Sequence, residues 1–553
     1  MVQSALGRKS LLVITVLAAL AVSVRPLAAQ PTPSRLDLGG LVEVGGELER
    51  YLRVLEIAGL VPLTPWSIQP FTPTQVGTFR ANRAHPWRDR FDASNDAVHL
   101  ADGRWLLRPK TRAIDNTTFP VQVGGGPTWS GRGVTGEVQA GFLASWRWAY
   151  LEAAPLAFSA ENSSFVLAPN EQTGAMQFAD ARYPENIDAP QRFGSSSYSR
   201  LRPGTSSLTV DSRILVLGAT SAPQQWGPAR EYPLVLGPNA GGFPAMFLGT
   251  SQPVDLWLFT VHGRLLYGQL DQSAFSAPVA GERTRLGTGI VGLITPRGVP
   301  GLEIGGSRFI HEPWPAGGIG LSVLNRPIAG GVGLIGNATN SPTVNQVASL
   351  FARWALPRAK AEFYGEMYRE DFPGHFHEAL SLVEKPDDLA AFTIGFQRVL
   401  TASDRTIRVL RGELVSGQTS HQERTERGFA IPMPPYIHAG VTQGHTEDGL
   451  ILGSPDAYGG AGWRFGLDQY TTSGRTSFAL ERSYRFDWLR TLPQNGPMVH
   501  PDVIYSLRAD LLRFHGASQI GLTLIPAIDL NRNLVAGHDV FNLTTALTLQ
   551  GLP

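Results

Sequence analysis

From about residue 131 onward the chain repeats one pattern: short segments in which apolar and polar side chains alternate, each closed off by Gly, Pro, Asp or Ser. A period of two is the signature of a β-strand with two different faces, so the repeat commits most of the chain to many short strands. In Val254 to Tyr267 one face carries Trp257, Phe259, Val261, Leu265 and Tyr267, and the other Thr260, His262 and Arg264. Leu350, Ala352, Trp354 and Leu356 alternate with Ser349 and Arg353. A turn at Pro357-Arg358 then leads to Ala361, Phe363, Gly365 and Met367 alternating with Glu362, Tyr364 and Glu366. Two more hairpins are predicted, turning at Ser403-Asp404 and at His515-Gly516. Phe541 to Leu549 alternates as a closing strand should.

A soluble sandwich or propeller also alternates, so the pattern alone does not place the chain in a membrane. Four features favour an outer-membrane barrel, whose inner face lines a wet lumen. Tyr and Trp sit near strand ends, and the strands are rich in glycine (Gly287, Gly289, Gly292, Gly305, Gly306). Cysteine is absent from all 553 residues. Residues 1–29 read as a secretory signal, with Arg8 and Lys9 before an apolar run from Leu11 to Val24 and Leu27-Ala28-Ala29 as the cleavage region. That run falls short of the roughly 20 residues a membrane helix needs, and none as long follows Gln30. Roughly 420 residues at about 24 per strand and loop give 16 to 18 strands. The fold expected is a mainly β, transmembrane antiparallel barrel of that size with a small N-terminal α-helical periplasmic unit.

The N-terminal part changes period. Gly46 to Gly59 places Leu48, Tyr51, Leu52, Leu55 and Ile57 on an apolar stripe at helical spacing, with Glu47, Glu49, Arg50, Arg53 and Glu56 around it and Gly59 as the stop. A second short helix starts near Thr72-Pro73-Thr74 and runs from Val76 towards Ala81. The domain reading is therefore signal 1–29, periplasmic helical unit 30–92, connecting segment 93–130 and barrel 131–553.

Composition removes several chemistries. Without cysteine there is no disulfide scaffold, zinc ribbon, iron–sulfur cluster or thiol nucleophile. With 47 basic against 46 acidic side chains the chain lacks the field that nucleic-acid binding requires. Only four of the basic residues are Lys (Lys9, Lys110, Lys360, Lys385), so nearly all are Arg. No G-x-S-x-G elbow and no phosphate-cradling P-loop occur.

Seven strings, in order along the mature chain, resemble the Wzi-type capsule assembly proteins of Gram-negative outer membranes. They are Leu52 to Val61; Asn116 to Pro120 with Trp129 to Gly133; Pro190 to Gly194; Trp226-Gly227-Pro228; Asn239 to Pro244; Gly301 to Arg308; and Tyr436-Ile437-His438 with Gly444-His445-Thr446 and Leu452-Gly453. The chain departs from the family at Gln225, where a second Trp is common, and at His445, where an aromatic such as Tyr is usual. The resemblance implies a barrel of about 18 strands with a periplasmic helical bundle, acting as a lectin that holds exported polysaccharide at the cell surface. Strand periodicity reaches the barrel by itself; carbohydrate enters only through the resemblance.

Sugar recognition wants a flat ring against the C–H face and amide or guanidinium groups for hydroxyls. Trp226, Arg230 and Asn239 supply these types, although a structural plug of Trp, Gly and Pro folded into the lumen accounts for the segment as well. Glu303 and Arg308 are read as a lumenal pair, either ligand-binding or part of the wall. His438 and His445, with Glu447 and Asp448, form a polar cluster suited to carbohydrate contact, to loop structure or to acid–base chemistry. His375-Phe376-His377-Glu378 is a two-imidazole loop with too few local ligands for a metal. No catalytic residue, metal or cofactor is assigned. The expected partners are surface polysaccharide and outer-membrane lipid, not nucleic acid, with oligomeric state open. The competing readings are a diffusion porin for small solutes and an outer-membrane enzyme acting on glycan or lipid.

Overall fold

The computed structural model describes residues 42–551 except 82, 91–95, 277–282, 329–342, 371–383, 419, 421–433, 439 and 486–499. The readings of residues 1–29 and of His375 to Glu378 lie outside the described residues. Eighteen antiparallel strands close into one barrel, sealed where Arg104–Asn116 pairs with Val540–Gln550. Among the described residues no helix is long and apolar enough to cross a membrane.

Short turns such as Pro357 to Lys360, Ser403 to Arg405 and Gly516-Ala517 join strands at one end, where both termini of the barrel also lie. The other end carries the long connections, among them 161–197, 221–244 and 417–460. In outer-membrane barrels short turns face the periplasm and long loops the exterior. Outward positions form an apolar band: Leu350, Trp354, Phe363, Ile394, Phe478 and Leu480 are all exposed. Inward positions on the same strands are buried and largely polar, as with Arg353, Glu362, Glu366 and Gln397. The predicted facing of the hairpins and the turns at Pro357, Ser403 and His515-Gly516 hold, because period-two alternation fixes every side chain once one is placed. Val254 to Tyr267 is not one strand: Val254–Leu256 pairs back on Phe259–Asp271 through a turn at Trp257, φ +59°, which an unbroken apolar alternation conceals.

The barrel begins earlier than residue 131. Its first strand is Arg104–Asn116, inside the segment read as a connector. Arg104, Arg108, Lys110 and Arg112 hide the alternation, and Pro109 interrupts the ladder at a register shift between Leu107 and Lys110. A proline is tolerated in a sheet where pairing is already broken.

Helix α1 (Glu47–Ile57) ends as expected, with Gly59 at φ +71° and the Leu60 amide returning to the Leu55 carbonyl. Helix α2 is only Pro73–Val76, started by a capping box in which the Thr72 hydroxyl and the Gln75 side chain each take the other's backbone N–H. Neither helix belongs to a separate unit. Tyr51, Leu52 and Leu55 pack with Val399, Ile407, Val409 and Tyr470, which are barrel residues near the short turns. The Trp87 indole donates to the Thr471 carbonyl at 3.0 Å. Arg53 and Glu56, placed around the apolar stripe, are fully buried because they face the polar barrel wall instead of water.

The outward band carries a direct test. Replacing Leu480, flanked outward by Phe465 and Leu507, with Arg is expected to cost about 2–4 kcal/mol in folding into lipid bilayers. Folding titrations in vesicles measure this, and an unchanged value would deny that the band meets lipid.

Candidate functional site

The lumen is filled by chain entering from both ends. From the short-turn end comes the segment through Trp66 to Phe71, and from the long-loop end the segment 221–244. They meet inside the barrel as a two-stranded antiparallel bridge, Ile68 opposite Trp226 and Gln69 opposite Gln225. Around the bridge, Ile68, Trp226, Leu234, Val235 and Leu236 pack against inward Leu266, Phe309, Val347 and Phe351 as a fully buried apolar core.

Glycine makes the fit possible at two points. Gly227 turns the plug at φ +94°, and a Cβ there would meet the Glu366 carboxylate at 2.7 Å. Gly289 on the wall leaves the space Trp226 occupies, since a Cβ would stand 2.6 Å from the indole ring.

An extended segment inside a barrel has backbone amides that water cannot reach, and each buried N–H left unpaired costs about 1–3 kcal/mol. Wall carboxylates meet that need. Glu413 accepts the amides of Arg230 (3.0 Å), Glu231 (3.0 Å) and Tyr232 (2.7 Å), and the Tyr364 hydroxyl at 2.6 Å. Glu366 accepts the Leu234 amide and Glu370 the Tyr436 amide. Glu303 accepts the amides of Trp66 and Ser67 and the Ser67 hydroxyl at 2.7 Å.

Arginines join Glu303 to further carboxylates of wall and helix. Arg353 pairs at once with Glu56 of α1 and with Glu303 and Glu362 of the wall. Arg53 of α1 bonds Glu362 and the Pro228 carbonyl, both at 2.9 Å, so one side chain ties helix, wall and plug. Arg285 holds the 436–452 loop by its carbonyls, Gly444 and Thr446, at 2.7 Å each.

The residues singled out in the sequence separate into different places. Trp226 is fully buried and has no ring face free for a sugar, so the structural-plug alternative describes it. Arg230 is half-buried and bonded to Gln397, and the Asn239 amide donates to the Ile451 carbonyl at 2.6 Å. Glu303 and Arg308 do not pair. Five positions apart is an odd step on a strand, so they face opposite sides of the wall. Glu303 points into the lumen, while Arg308 lies on the outer face, bonded to Gln346 and the Pro327 carbonyl.

The histidine cluster does not converge either. His438 is half-buried and accepts the Gly440 amide. His445 is fully buried: its Nε2 donates to the Val235 carbonyl at 2.6 Å, so its Nδ1 accepts from His311 Nε2 at 2.7 Å. Asp448 pairs with Arg202, and Glu447 accepts the Asp271 amide at 2.7 Å. Desolvation pushes the His445 imidazole down to about 4, with Arg285 acting the same way.

What sequence reading missed is the wall set that holds the plug: Glu366, Glu370 and Glu413 with Arg353 and Arg411. Their signal was present as inward-facing strand positions, but alternation does not reveal whether such positions meet water or chain.

A second cluster lies where the long loops converge. The Arg532 guanidinium stacks 4.3 Å over Phe119 and 6.0 Å from Phe165. Arg485 bonds Asp502 and Asp529, and Arg132 reaches the Thr117 and Ser164 carbonyls. Arg132, Phe165 and Arg485 keep part of their surface exposed.

No family model and no curated protein matches the chain. Among solved structures it is similar to Wzi of Escherichia coli, described as an outer membrane protein involved in group 1 capsule assembly and a carbohydrate binding beta-barrel. The TM-score is 0.62 at 14% identity, covering 92% of this chain and 98% of that one. The likeness is one of fold. This chain is an outer-membrane-type β-barrel. OccAB3 of Acinetobacter baumannii is matched with TM-score 0.37 at 9% identity over 81% of this chain and 99% of that one. A BenF-like porin of Pseudomonas fluorescens gives 0.34 at 6% over 82% and 99%.

Two measurements probe the plug. Arg353→Met strands three buried carboxylates and is expected to destabilise the protein by about 3–5 kcal/mol in denaturant titrations. Because the His445 imidazole is held below its ordinary 6.5, the unfolded chain takes up a proton between pH 6.5 and about 4 while the folded chain does not. Stability should therefore fall as pH drops through that window, and less so in His445→Gln; melting temperatures at pH 7.5 and 5 in detergent compare the two.

Proposed function

We propose that this barrel is a non-enzymatic binding protein of the outer membrane, exported through the secretory pathway, that holds an exported or capsular polysaccharide at its long-loop face. The carrying observation is the filled lumen: two segments from opposite ends bridge inside the barrel and bury an apolar core. A chain shaped for diffusion would keep that space wet. The fold likeness to a carbohydrate-binding barrel supports the choice of ligand class.

On this reading the sugar-facing groups are not Trp226 and its neighbours but the partly exposed Arg132, Phe165 and Arg485 of the converging loops. An aromatic face beside guanidinium groups suits a sugar ring carrying hydroxyl or carboxylate substituents.

The test is retention of surface polysaccharide by the purified protein, together with conductance in planar bilayers. The wild type should retain polymer and conduct little, while Arg132→Ala with Phe165→Ala should weaken retention at least about tenfold, two lost contacts of roughly 1 kcal/mol each. Steady conductance of porin size with no retention of any polymer would favour the diffusion reading.

A further inference from the structure

Interior guanidiniums are mostly paired, whereas one group of cations on the outside is not. The turn Pro357 to Lys360 carries Arg358 and Lys360, the turn Ser403 to Arg405 carries Arg405, and the strands between and beside them carry Arg398 and Arg408. Register draws all five together. Ala361 lies opposite Arg398, the Val399 amide bonds the Lys360 carbonyl, and Arg408 lies opposite Thr401. All five are exposed. Among the described residues none makes an ion pair; Arg408 bonds only the neutral Gln469. The single acid in the two turns is Asp404. Elsewhere on the same rim Arg297 is neutralised by Asp255 at 2.8 Å.

The patch continues directly from the apolar band. Trp354, Phe363, Leu400 and Leu410 are exposed on the same strands, and a register shift between Val399 and Thr401 marks a bulge at Leu400 beside the arginines. Cations bordering lipid-facing apolar surface lie at headgroup depth, and Arg forks match phosphate oxygens.

We infer that this patch binds the phosphodiester headgroups of anionic glycerophospholipids in the leaflet at the short-turn end. The occupant follows from charge and position: an unneutralised group of five cations at the edge of the lipid-facing band, at the end away from the long loops. The inference is independent of what the long-loop face binds.

The test uses the full chain purified in detergent and titrated with phosphatidylglycerol or phosphatidylcholine, with bound lipids counted by native mass spectrometry. Each cation is worth about fivefold in association with an anionic surface. Phosphatidylglycerol should therefore be retained over phosphatidylcholine at least about tenfold, and that preference should be lost in Arg398→Gln with Arg408→Gln but kept in Arg297→Gln. It should also weaken as salt rises. Heat-modified gel migration verifies folding of each variant. Should the strand variants misfold, Arg358→Gln with Arg405→Gln, both in turns, reads the same patch. Equal retention of the two lipids by wild type, or equal loss in Arg297→Gln, would overturn the proposal.

Discussion

Everything inside this barrel depends on how buried backbone amides of the plug find acceptors. A polypeptide threaded through a lumen cannot complete a sheet with the wall, whose own ladder is already closed. The solution is carboxylate side chains pointing inward: Glu413 takes three consecutive amides, Glu303 two and Glu366 one, while Glu370 takes one from the 417–460 loop. Of these carboxylates Glu303 pairs with Arg353, which together with Arg53 also bonds Glu362 and draws α1 into the short-turn mouth. Plug, helix and wall are thus one bonded structure.

The same logic bears on the choice between a plugged and a wet lumen. Inward charge usually indicates water, and at single strands the sequences of a wet and a plugged barrel look alike. Here the inward carboxylates are buried and bonded to plug amides or to arginines, and beside them an apolar core surrounds Trp226. On the function proposed, the working surfaces lie outside the lumen: the converging loops at one end and the lipid-facing wall with its basic border at the other.

How much of this was legible in the sequence follows from what period two encodes. Strand facing, the turns at Pro357, Ser403 and His515, and the closing strand follow from local alternation. The α1 boundaries follow from helical spacing and Gly59. The first barrel strand escaped because Arg, Lys and Pro109 mask its alternation. The Glu303–Arg308 pairing failed on the same period-two rule that found the strands. Trp226 shows the harder limit: its residue type suits a sugar platform or a core equally, and only the long-range bridge to Ile68 decides between them.

Amide hydrogen exchange along the plug tests the central claim most directly. If the wall carboxylates bind the segment as described, the amides of Arg230, Glu231, Tyr232 and Leu234 should be protected as strongly as barrel-strand amides such as those of Phe465 and Leu480. In Glu413→Ala, protection should fall first at Arg230 to Tyr232. Exchange at the rate of exposed loops in the wild type would contradict the account, because the plug would then not be part of the folded barrel.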